Sequence, residues 1–174
     1  FYQLWLDDSM MYSSALYTPG ETDLARAQTR KNDRILDRLH DAERILEVGC
    51  GWGGFAERAA DRGHHVTGLT ISPSQKGYAD ARLDGRAEIN LQDYRHSTGT
   101  YDGLVSIEMI EAVGADYWPA YFSMVKARLA EHGRAMIQAI TVPDAKFDAY
   151  RKCSDFIRQY TFPGGMLLSD QIIA

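Results

Sequence analysis

The run from Ile45 to Gly54 constrains the fold of this chain more than any other segment. An apolar strand leads into a turn that contains four glycines, and a helix is predicted to open near Phe55. Glycine suits such a turn because a ligand can approach the main chain closely only where no Cβ intrudes. The pattern therefore predicts a strand, a nucleotide-type cofactor loop and a helix in direct succession.

Two classes of cofactor fit the glycine spacing. Gly49, Gly51 and Gly54 match the G-x-G-x-x-G loop of dinucleotide-binding folds. With Gly53 as the third glycine, the same loop matches the E/D-x-G-x-G-x-G pattern of S-adenosylmethionine (SAM) methyltransferases. The spacing alone does not separate these two classes.

The residues around the loop favour SAM. A dinucleotide fold places an acid at the end of its second strand to bind the ribose. The second predicted strand, 65–71, has no carboxylate at its end. Glu47, just before the first glycine, suits the ammonium group of the methionine part of SAM better than a pyrophosphate. We therefore predict a SAM pocket with Glu47 at its methionine end.

Predicted strands and helices alternate along the chain, which is typical of a parallel sheet covered on both faces. Ligands bind such sheets at the carboxyl ends of the strands. We predict an α/β, Rossmann-like class I SAM methyltransferase domain over 1–174, with 1–40 as an N-terminal capping segment. We expect the two strands that usually follow the fifth to be missing, because the sequence has the pattern of a piece of a longer protein. The predicted helices are 23–39, 54–62, one opening at Ser72, 117–129 and an aromatic helical face over 147–160, and the strands are 44–48, 65–71, 87–92, 101–107 and 134–141.

Composition narrows the class of partner. The net charge of −5 argues against nucleic-acid binding, which needs a basic patch. Two cysteines, Cys50 and Cys153, form neither a disulfide framework nor a metal-ligand cluster. With no disulfide framework, a reducing cytoplasm is the simplest expectation. No apolar run approaches the length that spans a bilayer.

Six blocks of residues in one order resemble the cyclopropane fatty-acid synthases and the mycolic-acid cyclopropane synthases. The resemblance runs through the whole chain and implies a SAM-dependent enzyme. Such enzymes add a methylene group across the cis double bond of an unsaturated fatty-acyl chain, usually in a phospholipid, to form a cyclopropane fatty acid. The resemblance also implies peripheral contact with a membrane. A homodimer is the assembly that we expect. The blocks are 11–14, the glycine loop with Trp52, 70–75, 92–95, 106–114 and 160–165.

The resemblance places further residues on the cofactor. Two residues before the first helix would close over SAM, those after the second strand would take the ribose and adenosine side, and two after the third would flank the adenine. Ser72 and Gln75 also fit a helix capping box, which explains both without a ligand. The predicted cofactor contacts are Tyr12, Ser13, Glu47, Gly49, Gly51, Gly53, Thr70, Ser72, Gln75, Asp93, Tyr94 and Glu108.

The resemblance also implies a second bound group. Ring closure in this family uses a bicarbonate as the base, and the matching catalytic positions here are Glu111, Gln138, the backbone of Ile140 and Ser14. Ser14 stands where many members have Cys, and Gln138 where many have His. An amide and a hydroxyl can still donate to an oxyanion. Ala112 likewise replaces a frequent His.

Three alternatives stay open. The same cation could instead undergo a hydride shift and proton loss without ring closure, which leaves a methylene or methyl branch on the acyl chain. A small-molecule N-methyltransferase on the same fold would need a cage for an amine and no anion site. A SAM- or lipid-binding module without catalysis would fit the departures at Ser14, Ala112 and Gln138. No metal is expected in any of these cases.

Overall fold

The computed structural model describes residues 1–173 and has a five-stranded parallel sheet between two layers of helices. The strand order is β3-β2-β1-β4-β5, and each neighbouring pair is parallel. The predicted doubly wound α/β architecture is thereby confirmed. The strands are β1 Arg44–Val48, β2 His65–Thr70, β3 Glu88–Leu91, β4 Tyr101–Ile107 and β5 Leu129–Gln138, and the helices are α1 Leu24–Arg38, α2 Gly54–Asp61, α3 Pro73–Leu83, α4 Trp118–Arg128, α5 Asp144–Lys152 and α6 Asp170–Ile173.

The central strand, β1, fixes the position of the glycine loop. Its apolar residues Ile45, Leu46 and Val48 are buried because helices cover both faces of the sheet. Strand β1 pairs with β2 on one side and β4 on the other, and the chain reverses its direction of winding here. The crevice at such a switch point is where parallel α/β sheets bind ligands.

Two hydrophobic cores hold the layers together. On one face, α1, α2 and α3 pack through residues such as Leu36, Phe55 and Leu83. On the other face, α4 and α5 pack against Leu104 through residues that include Tyr121. Helix α1 is therefore part of the main core, although it falls within the predicted capping segment.

The chain before α1 lies directly on the start of α2. A Cβ at Gly54 would collide with the carbonyl oxygen of Ser9 and come within 2.8 Å of Met11 Cγ. Only glycine permits this contact, so the sequence of the cofactor loop also determines where the N-terminal segment, residues 9–14, can pack.

Strand β5 differs from its prediction at both ends. It begins at Leu129, directly after α4, and ends at Gln138. The register shifts between Tyr101 and Gly103 of β4, so 132–133 form part of a bulged strand and not a turn. Gly133 permits the bulge because its Cβ position lies 3.0 Å from the carbonyl oxygen of Tyr101.

The aromatic face over 147–160 does not form one helix. Helix α5 ends at Lys152, and Cys153 is extended with φ −105° and ψ 149°. A π-helical turn follows over Ile157–Thr161. The Arg158 guanidinium donates to the carbonyl oxygens of Tyr150 and Cys153, which satisfies acceptors that a longer helix would have used. After β5, the described residues add an isolated parallel bridge between Thr141 and Leu168.

Candidate active site

A cavity of about 570 Å³ opens at the carboxyl ends of β1, β2 and β4. This volume lies in the usual range for cofactor pockets. The loops that follow these strands line it together with the N-terminal segment. The predicted cofactor contacts in its wall are Tyr12, Ser13, Glu47, Gly49, Gly51, Thr70, Gln75, Asp93, Tyr94 and Glu108.

The glycine loop is fastened to the neighbouring strand. The backbone N–H groups of Gly49 and Cys50 both donate to the carbonyl oxygen of Leu69, at 3.0 and 2.9 Å. Gly49 has φ +83°, and a Cβ there would lie 2.8 Å from Met109 Cγ. Gly53, with φ +84°, forms the N-cap of α2 and lies outside the cavity wall. The loop can therefore present main-chain atoms to a ligand while it remains rigid.

Glu47 places a carboxyl group in the cavity wall, and one oxygen of that group has no hydrogen-bond partner among the described residues. The side chain is only 3% exposed, and the oxygen in question is Oε2. Burial raises the pKa of Glu47 to about 8, although the Lys31 charge and the Ala56 N–H act in the opposite direction. A buried unpaired carboxyl oxygen is costly, so the geometry suits a ligand that brings a hydrogen-bond donor.

A buried lysine supports the same region from α1. Lys31 is 5% exposed, and its Nζ donates to Ser13 Oγ at 2.6 Å. Burial lowers the pKa of Lys31 to about 8, while the carboxylates of Glu108, Asp7 and Glu47 raise it.

Gln28 lies one turn before Lys31 and supports the backbone of the same segment. Its Nε2 donates to the carbonyl oxygen of Ser13 at 2.8 Å. Neither Gln28 nor Lys31 was predicted from the sequence. Their signal was present, because polar residues at 28, 31 and 32 interrupt an apolar helix face that includes Ile35 and Leu36.

The end of β2 holds Gln75 in place. Ser72 caps α3, as predicted, by accepting from the Gln75 N–H at 3.3 Å. The reciprocal bond of a capping box is absent between these two residues, because Thr70 Oγ1 accepts from the Ser72 N–H at 3.1 Å. The Thr70 hydroxyl then donates to Gln75 Oε1 at 2.7 Å. Gln75 is thereby oriented at the cavity wall, whereas Ser72 lies outside it.

Asp93 and Tyr94 begin a short helical turn beside the cavity. Asp93 accepts two bonds from the Arg95 guanidinium, at 2.9 and 2.6 Å. This pairing lowers the pKa of Asp93 to about 2. Tyr94 meets Tyr121 edge-to-face, with ring centroids 5.8 Å apart. Arg95 was not predicted, and it also lines the cavity.

Glu108 connects three parts of the chain that are distant in sequence. It has φ +48°, an uncommon conformation for a residue with a Cβ. Its Oε1 accepts from the Ser14 N–H at 2.9 Å and from Gln138 Nε2 at 2.8 Å. Gln138 Nε2 also donates to the Ser14 carbonyl oxygen at 3.1 Å. Both hydrogens of the Gln138 amide are therefore engaged.

Glu111 and Ile140 form the other predicted catalytic pair. The Ile140 N–H donates to Glu111 Oε1 at 2.5 Å, while Glu111 Oε2 is buried without a partner among the described residues. Burial raises the pKa of Glu111, and the nearby Glu108 charge acts in the same direction. The structure thus arranges the four predicted catalytic residues in two groups, and none of them lines the cavity itself.

Aromatic side chains form part of the entrance. Tyr2 lies 5.1 Å from Tyr12 and 6.1 Å from Trp52, measured between ring centroids. Tyr117 also lines the cavity, with the Arg95 guanidinium 5.7 Å from its ring. Tyr2 and Tyr117 had no signal in the sequence beyond being aromatic, because only the fold brings them to the pocket.

Residues 1–173 contain neither a candidate metal site nor a candidate membrane-spanning helix. No group of His, Cys, Asp and Glu side chains there is arranged to hold a metal ion. None of the helices in that range has the length and apolar character needed to cross a bilayer.

The profile of one protein family, described as mycolic acid cyclopropane synthetase, matches residues 1–174. The chain belongs to this family. The resemblance inferred from the six sequence blocks is therefore confirmed.

Named relatives in this family differ in their reactions. The chain is 43% identical to the tuberculostearic acid methyltransferase UfaA1 of Mycobacterium tuberculosis, with 97% of this chain and 43% of the relative covered. It is 35% identical to the cyclopropane-fatty-acyl-phospholipid synthase of Escherichia coli, with 97% of this chain and 44% of the relative covered. The chain thus spans less than half the length of these relatives.

Solved structures confirm the fold of the family. Mycolic acid cyclopropane synthase CmaA1, complexed with SAH and CTAB, superimposes with a TM-score of 0.88 at 28% identity and covers 99% of this chain and 66% of its own. Coclaurine N-methyltransferase, bound to N-methylheliamine and SAH, gives a TM-score of 0.77 over 97% of this chain and 52% of its own, and its 20% identity speaks for the fold alone. The predicted class I SAM methyltransferase fold is confirmed.

Proposed function

We propose that the protein containing this chain is a SAM-dependent enzyme that alkylates the cis double bond of an unsaturated fatty-acyl chain in a phospholipid. The observation that carries the proposal is Glu47, a buried carboxyl with an unpaired oxygen in the wall of a cavity at the switch point. Membership of a family whose named members methylate fatty acids or form cyclopropane rings supports the substrate class.

The residues of the cavity fit SAM. Glu47 Oε2 would accept from the cofactor ammonium, which supplies the missing donor. Gly49 and Gly51 leave their main chain open to the methionine end. Because Gln75 Oε1 is occupied by Thr70, its Nε2 hydrogens stay available to the adenosine side. When bound, SAM supplies a methyl group activated by a sulfonium centre.

The cavity wall also limits water. Met10, Met11, Phe55 and Met109 contribute apolar surface to it, and the N-terminal segment covers part of the opening. An alkene is a weak nucleophile, and the cation that forms on methylation would react with water. A dry, shaped pocket therefore serves the proposed reaction.

We propose Glu111 as the residue that holds the bicarbonate implied by the family resemblance. Its unpaired Oε2 could accept from the hydroxyl of that ion, next to the Ile140 N–H. When bound, bicarbonate would supply the base for ring closure. Roles for Ser14 and Gln138 at this ion stay predictions, since both are bonded to Glu108 and would have to exchange those bonds.

Two products can follow from the same methylated cation. Proton loss from the new methyl group closes a cyclopropane ring, which is the outcome in our proposal. A 1,2-hydride shift from the methylated carbon to the cationic carbon, followed by proton loss from the methyl group, instead leaves a methylene branch, whose reduction would give a methyl branch. The 43% identity to a tuberculostearic acid methyltransferase favours this second candidate. The difference depends on where the base lies relative to the cation.

The proposal includes a setting for the reaction. A phospholipid substrate requires contact with a bilayer surface, so we propose a cytoplasmic enzyme with peripheral membrane contact. The exposed Leu4 and Trp5 side chains, 79% and 69% exposed, are suited to such a surface. We further propose residues 1–174 as a methyltransferase domain, 1–40 as its capping segment, and a homodimer as its assembly.

The test is product analysis with the full-length protein, SAM, bicarbonate and vesicles of a monounsaturated phospholipid. Mass spectrometry should show a gain of one CH2 per modified acyl chain, and proton NMR should show upfield cyclopropane signals. A gain of CH2 with vinylidene signals would select the methylene branch. No gain with SAM bound would overturn the proposal, and vesicles of a saturated phospholipid serve as the control.

A further inference from the structure

Lys31 is a buried titratable group that the proposed reaction does not use. It projects from α1 and is 5% exposed, yet its only hydrogen-bond partner within residues 1–173 is Ser13 Oγ, at 2.6 Å. An ammonium with three donors is rarely buried with so few partners. Its charge is therefore available to act on its surroundings.

Ser13 transmits the position of Lys31 to the cavity. Because the Ser13 oxygen accepts from an ammonium, its own hydroxyl hydrogen is free to donate elsewhere. Ser13 lines the cavity, whereas Lys31 does not. The arrangement gives the wall a hydroxyl donor that is polarised by a buried positive charge, which suits an anionic group on the ligand.

The opposite charge is also buried at this site. Glu47 lines the cavity, and its charge and that of Lys31 influence each other. The methionine part of SAM is a zwitterion, with an ammonium and a carboxylate on one carbon. A site with a buried acid and a lysine-backed hydroxyl complements both groups.

We propose that Lys31 is a positioning residue for the methionine carboxylate of SAM and acts through the hydroxyl of Ser13. This inference rests on the proposed function, since it assumes that the cavity binds SAM. It adds a residue from α1, outside the glycine loop, to the recognition of the cofactor.

A purely structural role for Lys31 would be to hold the N-terminal segment in place. Gln28 already does so, because its Nε2 donates to the carbonyl oxygens of Ser13 and Met11 at 2.8 and 3.4 Å. Gln28 is therefore the matched control. Its loss should loosen the segment for every ligand, whereas loss of the Lys31 charge should matter only for ligands with a carboxylate.

The experiment measures the affinity of the full-length protein for SAM and for decarboxylated SAM by calorimetry, in the absence of lipid. Decarboxylated SAM retains the ammonium and lacks the carboxylate. We expect Lys31→Met to weaken SAM binding by about tenfold or more, as for the loss of a charge-assisted hydrogen bond. Binding of decarboxylated SAM should change less than about twofold, and Gln28→Leu should weaken both ligands by similar factors.

Ser13→Ala provides a second route if Lys31→Met fails to fold. It should produce the same selective loss, and the double variant should be no weaker than Lys31→Met alone, because both substitutions break one relay. Equal losses for the two ligands, or no loss in either variant, would overturn the inference. Failure of the wild type to bind SAM would instead overturn the proposed function.

The pH dependence of binding gives an independent readout. Lys31 is faced by Glu108 after β4, Asp7 before α1, Glu47 in β1 and the Ser13 hydroxyl, and burial lowers its pKa to about 8. A bound carboxylate would raise this pKa again, so binding should take up protons. Wild-type affinity for SAM should therefore fall, relative to Lys31→Met, as the pH rises above about 8. Parallel pH profiles for the two proteins would contradict the inference.

Discussion

Glu47 and Lys31 are both buried near the cavity. In the described part of the chain they do not form a direct ion pair with each other. Burial acts on them in opposite directions, raising the pKa of the carboxyl and lowering that of the ammonium. Both shifts disfavour the charged forms in the empty protein. The stability of the empty protein should therefore depend on pH in two separate windows.

Glu47 determines the lower window. Its pKa is about 8 in the folded protein, and its ordinary value, taken for the unfolded chain, is 4.5. Between pH 4.5 and about 8, the folded state therefore binds more protons than the unfolded state. Its contribution to the free energy of unfolding should fall as the pH rises through this range. Lys31 has the opposite effect. Between about pH 8 and pH 10.5 the unfolded state binds more protons than the folded state, so the free energy of unfolding should rise with pH.

Urea denaturation at a series of pH values tests this prediction. Glu47→Gln should reduce the fall in stability below pH 8, the remainder being due to Glu111, whose pKa is also raised, and Lys31→Met should remove the rise above pH 8. Glu43→Gln, at an exposed acid just before β1, serves as the control and should leave both windows intact. Identical pH profiles for all four proteins would contradict the assigned pKa shifts.

Glu111 supports a second prediction at this scale. Glu111→Gln in the full-length protein should abolish product, because the amide is a poorer acceptor for the bicarbonate hydroxyl. SAM affinity should stay within about threefold, since Glu111 lies outside the cavity wall. Turnover assays and calorimetry measure the two quantities. Persistent product formation would show that another residue holds the base.

Sequence could identify Glu47 but not Lys31, for a physical reason. Glu47 is placed by local geometry, since a residue just before a glycine turn lies at the end of a strand. The role of Lys31 depends on its contact with Ser13, which lies 18 residues away in the chain and is brought to Lys31 only by the fold. The capping box at Ser72 and Gln75 failed in part for a similar reason, because Thr70 competes for both partners.

At the scale of elements, the N-terminal segment depends on α2 and α1 for its position. Gly54 lets Ser9 and Met11 lie against the start of α2, and Gln28 and Lys31 hold Ser13 from α1. Glu108 then attaches Ser14 to the ends of β4 and β5. The segment is thus fixed on three sides of the cavity.

Gly54→Ala should detach this segment. The added methyl group collides with the Ser9 carbonyl oxygen, so the segment must move away from α2. We expect SAM and decarboxylated SAM to lose affinity by similar factors, on the order of tenfold, and proteases to cleave near residue 10 more rapidly. Limited proteolysis and calorimetry report these effects.

Gly77 offers the matched control within α3. It lies inside the helix, and a Cβ there would meet nothing within 4 Å. Gly77→Ala should stabilise the protein by about 0.5–1 kcal/mol, through helix propensity, and leave ligand binding unchanged. Wild-type affinity in Gly54→Ala would show that the segment does not cover the cofactor.

The bounds of buried strands were predicted better than the bounds of elements that depend on tertiary contacts. The bounds of β1 and β4 were predicted correctly, because largely apolar runs between turn signals define mostly buried strands. The bounds of β5 were not, since its bulge depends on how closely Gly133 approaches β4. The division of 147–160 likewise depends on a tertiary contact, the carbonyl bonds of Arg158.

At the scale of the whole molecule, the cavity draws on residues from Tyr2 to Tyr117. Parallel strands bring their carboxyl ends to one edge of the sheet, so loops far apart in sequence meet there. This rule allowed most of the wall to be predicted. It could not predict the two-group arrangement of Glu108 and Glu111, because that depends on the conformation of the residues just after β4.

A ligand in this cavity should stabilise the entire fold. SAH at 100 times its dissociation constant should add about 2.7 kcal/mol to the free energy of unfolding, because it binds only the folded state. Urea denaturation with and without SAH measures the increment. Glu47→Gln should show a smaller increment at the same SAH concentration, whereas Glu43→Gln should match the wild type. An increment of zero in the wild type would show that the folded protein does not bind SAH.

The unpaired oxygen of Glu47 has a consequence for the life of the protein in the cell. The empty form retains a buried polar atom without a partner, so it opens more often than the occupied form and offers its chain to cellular proteases more frequently. Synthesis rate being equal, the steady-state abundance of this protein should therefore follow the supply of its cofactor. A shortage of methyl donor would then reduce both the turnover rate and the number of molecules that survive to work.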